Sequence, residues 1–321
     1  MSQTLQTVAV IGAGTMGAGI AEVAAAAGHP VLLYDIAAEA LTRAVEGIRQ
    51  RLAARVARGK LTADQADALV ARLVPVTELA ALSDAWLVIE AASERPDVKK
   101  ALFNQLAAIC SPSTLLTSNT SSISITAIAA DVRHPERVAG LHFFNPAPVM
   151  KLVEVVSGLA TSPEVVEQLR RCVTAWGKQP VRCRSTPGFI VNRVARPFYA
   201  EAWRALEEQV APPAVIDAAL RDGGGFPMGP LALTDLIGQD VNFAVTCSVF
   251  NAFWQDRRFL PSLVQQELAL AGRLGKKSGQ GVYRWPIESA SVPALAAVAE
   301  TRGAKTVCTT GDSVTGRVAI A

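Results

Sequence analysis

The sequence predicts an α/β domain on a parallel sheet, followed by an all-α domain. Three observations predict it. First, an apolar stretch at 6–11 runs through a glycine turn into an Ala-rich helix at 15–27 and a second apolar stretch at 31–34. That is a βαβ unit, whose crossover returns the chain to a parallel neighbour in the right-handed sense. Second, Pro187 and Gly188 break the alternation, and the remainder of the chain reads as helix after helix. Third, half of the residues are apolar but only 6% aromatic, with Ala, Val and Leu dominant. That usage suits helices packed on a buried parallel sheet. A chain of 321 residues is long enough for two domains.

Beyond the βαβ unit, residues 37–72 read as two charged helices broken near Gly59, the second capped by Thr62. Further strands are expected at 86–89, 114–117, 138–141 and 152–156, and a helix at 163–176 with a strand at 180–183 completes a first domain over 1–185. Helices are expected at 189–209, 212–222, 230–237, 240–256 and 260–271, with Pro213 in a first turn, where proline is tolerated. These make a second domain over 186–286. Residues 287–321 lack a closing element and read as a tail or the start of a linker.

Bulk properties exclude several classes. A net charge of +3 is too small to argue for nucleic acid. No apolar run reaches the roughly 18 residues of a membrane span, and no basic start precedes an apolar stretch as in a signal peptide. The five cysteines are odd in number and form no C-x-x-C pair, so neither a disulfide framework nor a metal site is expected, and a reducing cytoplasm is the simplest setting.

The strongest local signal is Gly12-Ala13-Gly14-Thr15-Met16-Gly17, placed between a strand and a helix. The first glycine permits the tight turn, the second lets backbone approach a pyrophosphate, and the third lets helix pack on strand. Phosphates would sit at the positive helix end. Asp35 ends the second strand, where a carboxylate accepts hydrogen bonds from ribose hydroxyls and repels a 2′-phosphate. Together these predict a Rossmann-like dinucleotide-binding domain with NAD as cofactor. The alternative is a glycine-rich turn without ligand and a surface acid at Asp35.

A hydride-transfer enzyme needs a group that takes the hydroxyl proton, and imidazole suits neutral pH. The histidines are His29, His134 and His142. His29 lies in a turn away from the expected crevice, and His134 precedes Pro135 in a polar loop. His142 ends an apolar strand, and such strand ends face the ligand crevice of open α/β sheets. By position alone it could equally be a buried structural histidine.

Several motifs carry a resemblance. They are Ser118-Asn119-Thr120-Ser121-Ser122, Leu141-His142-Phe143-Phe144-Asn145-Pro146 and Val149-Met150-Lys151-Leu152-Val153-Glu154, then Pro187-Gly188-Phe189-Ile190-Val191-Asn192-Arg193, Pro227-Met228-Gly229-Pro230 and Gly275-Lys276-Lys277-Ser278-Gly279. In order and spacing they resemble the 3-hydroxyacyl-CoA dehydrogenase family, nearest to its branch acting on a dicarboxylyl thioester. The resemblance implies an acyl-coenzyme A substrate, with His142 as general base and Glu154 orienting it. Ser121 would hydrogen-bond the substrate's 3-oxygen near the nicotinamide, and Asn192 would reach the reacting substrate. Further cofactor contacts map onto Glu94, Lys99, Asn145 and Lys277.

Each residue also has a plainer reading. The Ser/Thr-rich loop could cap the next helix, and Asn192 could be a helix-start residue. Glu154 could be a surface charge, although its apolar surroundings disfavour that. Coenzyme A carries phosphates, and the helical hairpin offers Arg49, Arg51, Arg55, Arg58 and Lys60, of which Arg51, Arg58 and Lys60 are taken as substrate contacts. A solvated charged face explains any one of them equally well. Arg196 lies four residues after Asn192 on the same helix face, and is expected to recognise a distal carboxylate of the acyl chain unless it pairs with Glu201 or solvent. A homodimer through the helical domain is expected, with 243–254 apolar enough to contribute, although that stretch could be internal core. Two other readings stay open: a dehydrogenase of free hydroxy acids on the same scaffold, and an NAD-binding structural or sensor protein.

Overall fold

A computed structural model of the chain describes residues 5–286, together with the backbone of 308–310 and 317–319. The expectation for 287–321 therefore falls outside the described residues, apart from an antiparallel backbone pairing of Cys308–Thr310 with Arg317–Ala319.

The chain forms two compact units, Met1–Arg193 and Val194–Ala321. The first runs β1 (Val8–Ile11), α1 (Thr15–Ala26), β2 (Val31–Tyr34), α2 (Ala38–Ala57), α3 (Ala63–Val70), β3 (Leu73–Val76), β4 (Leu87–Glu90), α4 (Pro96–Ile109), β5 (Leu115–Ser118), α5 (Ile125–Ala129), β6 (Val138–Phe143), β7 (Leu152–Ser157), α6 (Pro163–Ala175) and β8 (Gln179–Arg184). The sheet order is β3-β2-β1-β4-β5-β6-β7-β8. Apolar side chains cover both of its faces: Val8, Val10 and Leu33 pack with α1 and α2 on one side, and Ala9, Val88 and Leu116 with α4 and α5 on the other.

Every strand pairing in this sheet is parallel except β6 with β7. At that one pairing the expectation of a parallel sheet is corrected. The link at 144–151 holds no helix, and without a crossover the chain can only reverse beside the strand it left.

Two elements have no clear signal in the sequence. Strand β3 contains Pro75, which reads as a strand breaker. At the sheet edge its missing amide donor is harmless. Helix α4 is masked because its inward positions are Lys99, Phe103 and Leu106, so a lysine occupies a core place in the apolar stripe. A parallel β4–β5 pair requires such a crossover in any case. Elsewhere the punctuation acts as expected. The hairpin breaks between Ala57 and Ala63, where Thr62 and Gln65 form a reciprocal capping box.

The second unit holds most of α7 (Val191–Glu207), then α8 (Pro213–Ala218), α9 (Pro230–Ile237), α10 (Gln239–Ala252) and α11 (Leu263–Leu270). The expected helix over 212–222 ends early, passing into a π-turn at Ala219–Gly223. Its apolar centre is Tyr199, Ala202, Trp203, Ile216 and Leu231. Two buried acids tie it together. Asp217 accepts from the Leu231 and Ala232 amides at the start of α9 and from the Tyr283 hydroxyl. Asp235 accepts from Gln239 Nε2, the Val282 and Tyr283 amides and Trp285 Nε1. A Cβ at Gly229 would overlap Asp217, and one at Gly281 would overlap Asp235. The glycines of these two stretches therefore serve close packing.

Among the described residues no helix is long and apolar enough to cross a membrane.

Candidate functional site

The strand order places β1, β4, β5 and β6 side by side and parallel, so their C-terminal ends share one edge of the sheet. Ligand sites of open α/β sheets lie at that edge. The glycine turn, Glu90, the 118–122 loop and His142 all sit there.

Each glycine of the turn has its own geometric reason. Gly12 has φ +98°, a conformation that L side chains rarely adopt, and its Cβ would press on the Ala91 carbonyl 2.6 Å away. A Cβ on Gly17 would overlap the Gly12 carbonyl oxygen, so only glycine lets α1 lie against the turn. Around Gly14 nothing lies within 4 Å of an added Cβ, which leaves open space over the backbone that precedes α1. The helix has no side-chain cap, so its first amides are donors of the kind that suit a phosphate. Asp35 spans the turn, accepting from the Ala13 amide at 2.7 Å with one oxygen and from the Ala37 amide at 2.9 Å with the other. A carboxylate offers about four acceptor sites, so ribose hydroxyls can still be received. These residues fit NAD.

His142 and Glu154 are direct register partners across β6 and β7. Side chains so opposed on one sheet face stand close enough to interact, and His142 Nδ1 lies 2.7 Å from Glu154 Oε2. The imidazole is only 6% exposed, flanked by Phe144 and Phe189 with ring centroids at 4.6 and 5.8 Å. The second Glu154 oxygen accepts from the Ile190 and Val191 amides, both at 2.9 Å, where α7 begins. Burial pushes the Glu154 pKa up. Hydrogen bonds from His142 and Val191, the neighbouring imidazole and the Ile190 amide outweigh it, so the carboxyl stays below its ordinary value. An ionised carboxylate only accepts. It therefore fixes the imidazole proton on Nδ1 and leaves Nε2 as the acceptor.

The 118–122 loop closes over Glu94. Glu94 Oε1 accepts from Thr120 Oγ1 at 2.5 Å, the Ser121 amide at 3.1 Å and Ser122 Oγ at 3.0 Å. Capping of α5 falls to Ser124, whose hydroxyl accepts from the Ala127 amide. Asn192 Nδ2 approaches the Ser121 carbonyl at 3.5 Å, which brings those two expected site residues together. Lys99 is 1% exposed, bound to Glu90 at 2.6 Å and, as its second partner, to Glu94 at 3.3 Å.

Asn145 is exposed and lines a cavity of about 630 Å³ with Thr15, Glu22, Arg51, Arg55 and Arg58. Arg51 is held to buried Glu22 at 2.8 Å. Lys60 sits exposed in the turn beyond α2, outside that lining.

In the helical unit, Lys277 pairs with Asp240 at 2.6 Å. Arg196 is 4% exposed, and its guanidinium donates to the Asn242 carbonyl at 3.2 Å and Thr246 Oγ1 at 3.0 Å while lying over the Tyr199 ring. Glu201, its expected alternative partner, binds Arg204. The guanidinium is therefore engaged by α10 and the Tyr199 ring.

Two further residues of the site carry little signal in the sequence. Glu90 is fully buried at the end of β4, and Asn119 Oδ1 accepts from the Phe143 amide at 2.8 Å, tying the end of β5 to the strand that carries His142. The only hints are an acid ending an apolar strand and an asparagine inside the Ser/Thr loop.

Residues 7–186 match the family model of the NAD binding domain of 3-hydroxyacyl-CoA dehydrogenase, and residues 188–285 match the model of its C-terminal domain. The chain belongs to the 3-hydroxyacyl-CoA dehydrogenase family. It is 73% identical over 315 residues to the 3-hydroxyadipyl-CoA dehydrogenase of Escherichia coli K12, covering 98% of this chain and 66% of that protein. A solved Escherichia coli K12 structure described as 3-hydroxybutyryl-CoA dehydrogenase superposes with a TM-score of 0.89 at 74% identity, covering 96% of this chain and 65% of that one. This chain thus spans just under two thirds of the length of both. It is also 40% identical over 287 residues to the 3-hydroxybutyryl-CoA dehydrogenase of Mycobacterium tuberculosis, covering 89% of this chain and all of that protein.

Proposed function

We propose that the chain oxidises the 3-hydroxyl of a (3S)-3-hydroxyacyl-CoA thioester, and reduces the 3-oxo product in reverse, with 3-hydroxyadipyl-CoA as the substrate. The observation that carries this reading is the His142–Glu154 pair, an oriented and buried base at the edge of the sheet that also bears the glycine turn. Similarity to a hydroxyadipyl-CoA enzyme over nearly the whole chain supports the substrate.

NAD, when bound, supplies the acceptor for the hydride that leaves C3. The chain's own residues do the rest. Gly12, Ala13, Gly14, Thr15, Met16 and Gly17 cradle the pyrophosphate, and Asp35 receives ribose hydroxyls. Glu94 and Asn145 hold the cofactor further along. His142 Nε2 takes the hydroxyl proton, and Glu154 stabilises the imidazolium that results. Ser121 donates to the 3-oxygen, and Asn192 orients the same end of the substrate. Arg51 and Arg58, with Lys60 beyond them, meet the phosphates of coenzyme A. The protein assembles as a homodimer through the helical unit, where Leu236, Ile237 and Val241 are exposed.

The test is NADH oxidation with 3-oxoadipyl-CoA, acetoacetyl-CoA and free 3-oxo acids. The highest kcat/KM is expected with 3-oxoadipyl-CoA. A preference for acetoacetyl-CoA would move the substrate to the short-chain branch, turnover of free acids alone would overturn the thioester assignment, and NADH binding without any turnover would overturn the enzymatic reading.

A further inference from the structure

A sealed ion pair lies directly behind the Ser121 loop. Glu90 at the end of β4 accepts with both oxygens: Oε1 from Lys99 Nζ at 2.6 Å and the Ala92 amide at 2.7 Å, Oε2 from Lys99 at 2.8 Å and Ser118 Oγ at 2.6 Å. Ser118 Oγ in turn accepts from the Thr120 amide at 3.1 Å. Lys99 extends from α4 to Glu94 Oε2, while Glu94 Oε1 gathers Thr120, Ser121 and Ser122. One buried ammonium is thus shared by two carboxylates, and hydrogen bonds run from both acids into the loop.

Replacing a buried ion pair by apolar side chains of similar volume is often neutral or stabilising, so stability alone does not account for this one. Of the three charged groups only Glu94 meets solvent, its side chain 40% exposed. Two carboxylates and one ammonium leave one net negative charge, and Glu94 is where it surfaces.

We propose that Glu90 and Lys99 are positioning residues that clamp Glu94 and the Ser121 backbone, so that the loop presents one fixed carboxylate and one oriented hydroxyl to the nicotinamide half of the cofactor. This rests on the dehydrogenase reading of the site. Neither residue touches the reacting atoms; both act through Glu94 and Ser118. The groups facing Glu94 are Lys99 from α4, Glu90 behind it from β4, and neutral donors from the loop. Its neighbour Arg95 is engaged with Asp97. Burial raises the Glu94 pKa, but the Thr120 hydroxyl, the Lys99 charge, the Ser121 amide and the Ser122 hydroxyl overcome it and hold it below the ordinary value. Without Lys99 that balance moves towards the protonated acid.

The test is the double variant Glu90→Gln, Lys99→Met in the full chain, which removes both buried charges together. Dissociation constants for NADH and NAD+ are measured from pH 8 to pH 5 beside the unaltered protein. The unaltered protein is expected to show a level profile. The variant is expected to lose affinity as pH falls, by up to about tenfold per pH unit once Glu94 protonates. A purely structural pair would lower Tm without adding that slope, so a folded variant with a level profile overturns the inference. If the variant does not fold, Glu94→Gln carries the test: it must weaken NAD+ binding about tenfold or more at neutral pH, by deleting a charge-assisted contact, and unaltered affinity overturns the inference. Absence of NADH binding and turnover in the unaltered protein would remove the functional reading itself, and this inference with it.

Discussion

His142 and Glu154 face each other across the one antiparallel pairing of the main sheet, with Nδ1 and Oε2 2.7 Å apart. Glu154 is pinned in turn by the two amides that open α7. The imidazole is therefore oriented by an acid that the backbone itself orients.

Glu154→Gln should lower kcat by about 10²–10⁴-fold with little change in NADH affinity, because an amide can present a donor to Nδ1 and select the wrong tautomer. Steady-state kinetics with dinucleotide titration checks this. A loss confined to KM would assign Glu154 to substrate binding.

The glycines of the turn should separate. Gly14→Ala should fold normally, since an added Cβ meets nothing within 4 Å, yet weaken NADH binding about tenfold or more, or ~1.4 kcal/mol, by occupying the space a pyrophosphate needs. Gly17→Ala should destabilise the fold by roughly 1–3 kcal/mol through overpacking against Gly12. Thermal melting and NADH titration of both variants distinguish the two effects, and equal outcomes would refute the separate roles.

Arg196→Leu should cost stability and leave substrate choice alone. The change removes the guanidinium's bonds to the Asn242 carbonyl and the Thr246 hydroxyl, which stay bonded to each other, a loss of about 2 kcal/mol. The ratio of kcat/KM for hydroxyadipyl-CoA to that for hydroxybutyryl-CoA should not move. A selective loss with the dicarboxylic substrate would restore a recognition role.

Acid stability should depend on Glu154. Its folded pKa lies below the ordinary value, so its contribution is fully present above the unfolded pKa, near 4.3, and is lost as pH falls through the folded one. Tm should stay level in this respect from pH 8 down to about 5 and decline as pH falls further, and Glu154→Gln should flatten that decline. An identical acid limb in both proteins would show that Glu154 carries no such linkage.

Much of this is legible in the amino-acid order, and the failures have physical reasons. The glycine turn and Asp35 are local: a strand, a turn and a helix start lie within one short segment, so spacing alone determines who meets whom. His142 and Glu154 are both visible as candidates. Their meeting depends on a strand reversal at 144–151 and on register, which no local pattern encodes. Lys99 looks like a surface lysine because lysine is rarely buried, and it hides the crossover helix that carries it. Arg196 does lie four residues after Asn192, but helical spacing does not say which neighbour its guanidinium meets, and in the structure that neighbour is α10.

The most direct measurement is turnover of His142→Gln with 3-oxoadipyl-CoA and NADH, alongside its NADH dissociation constant. The account predicts that kcat falls by about 10²–10⁴-fold while NADH affinity and Tm stay close to those of the unaltered protein. Normal turnover by the folded variant would contradict it.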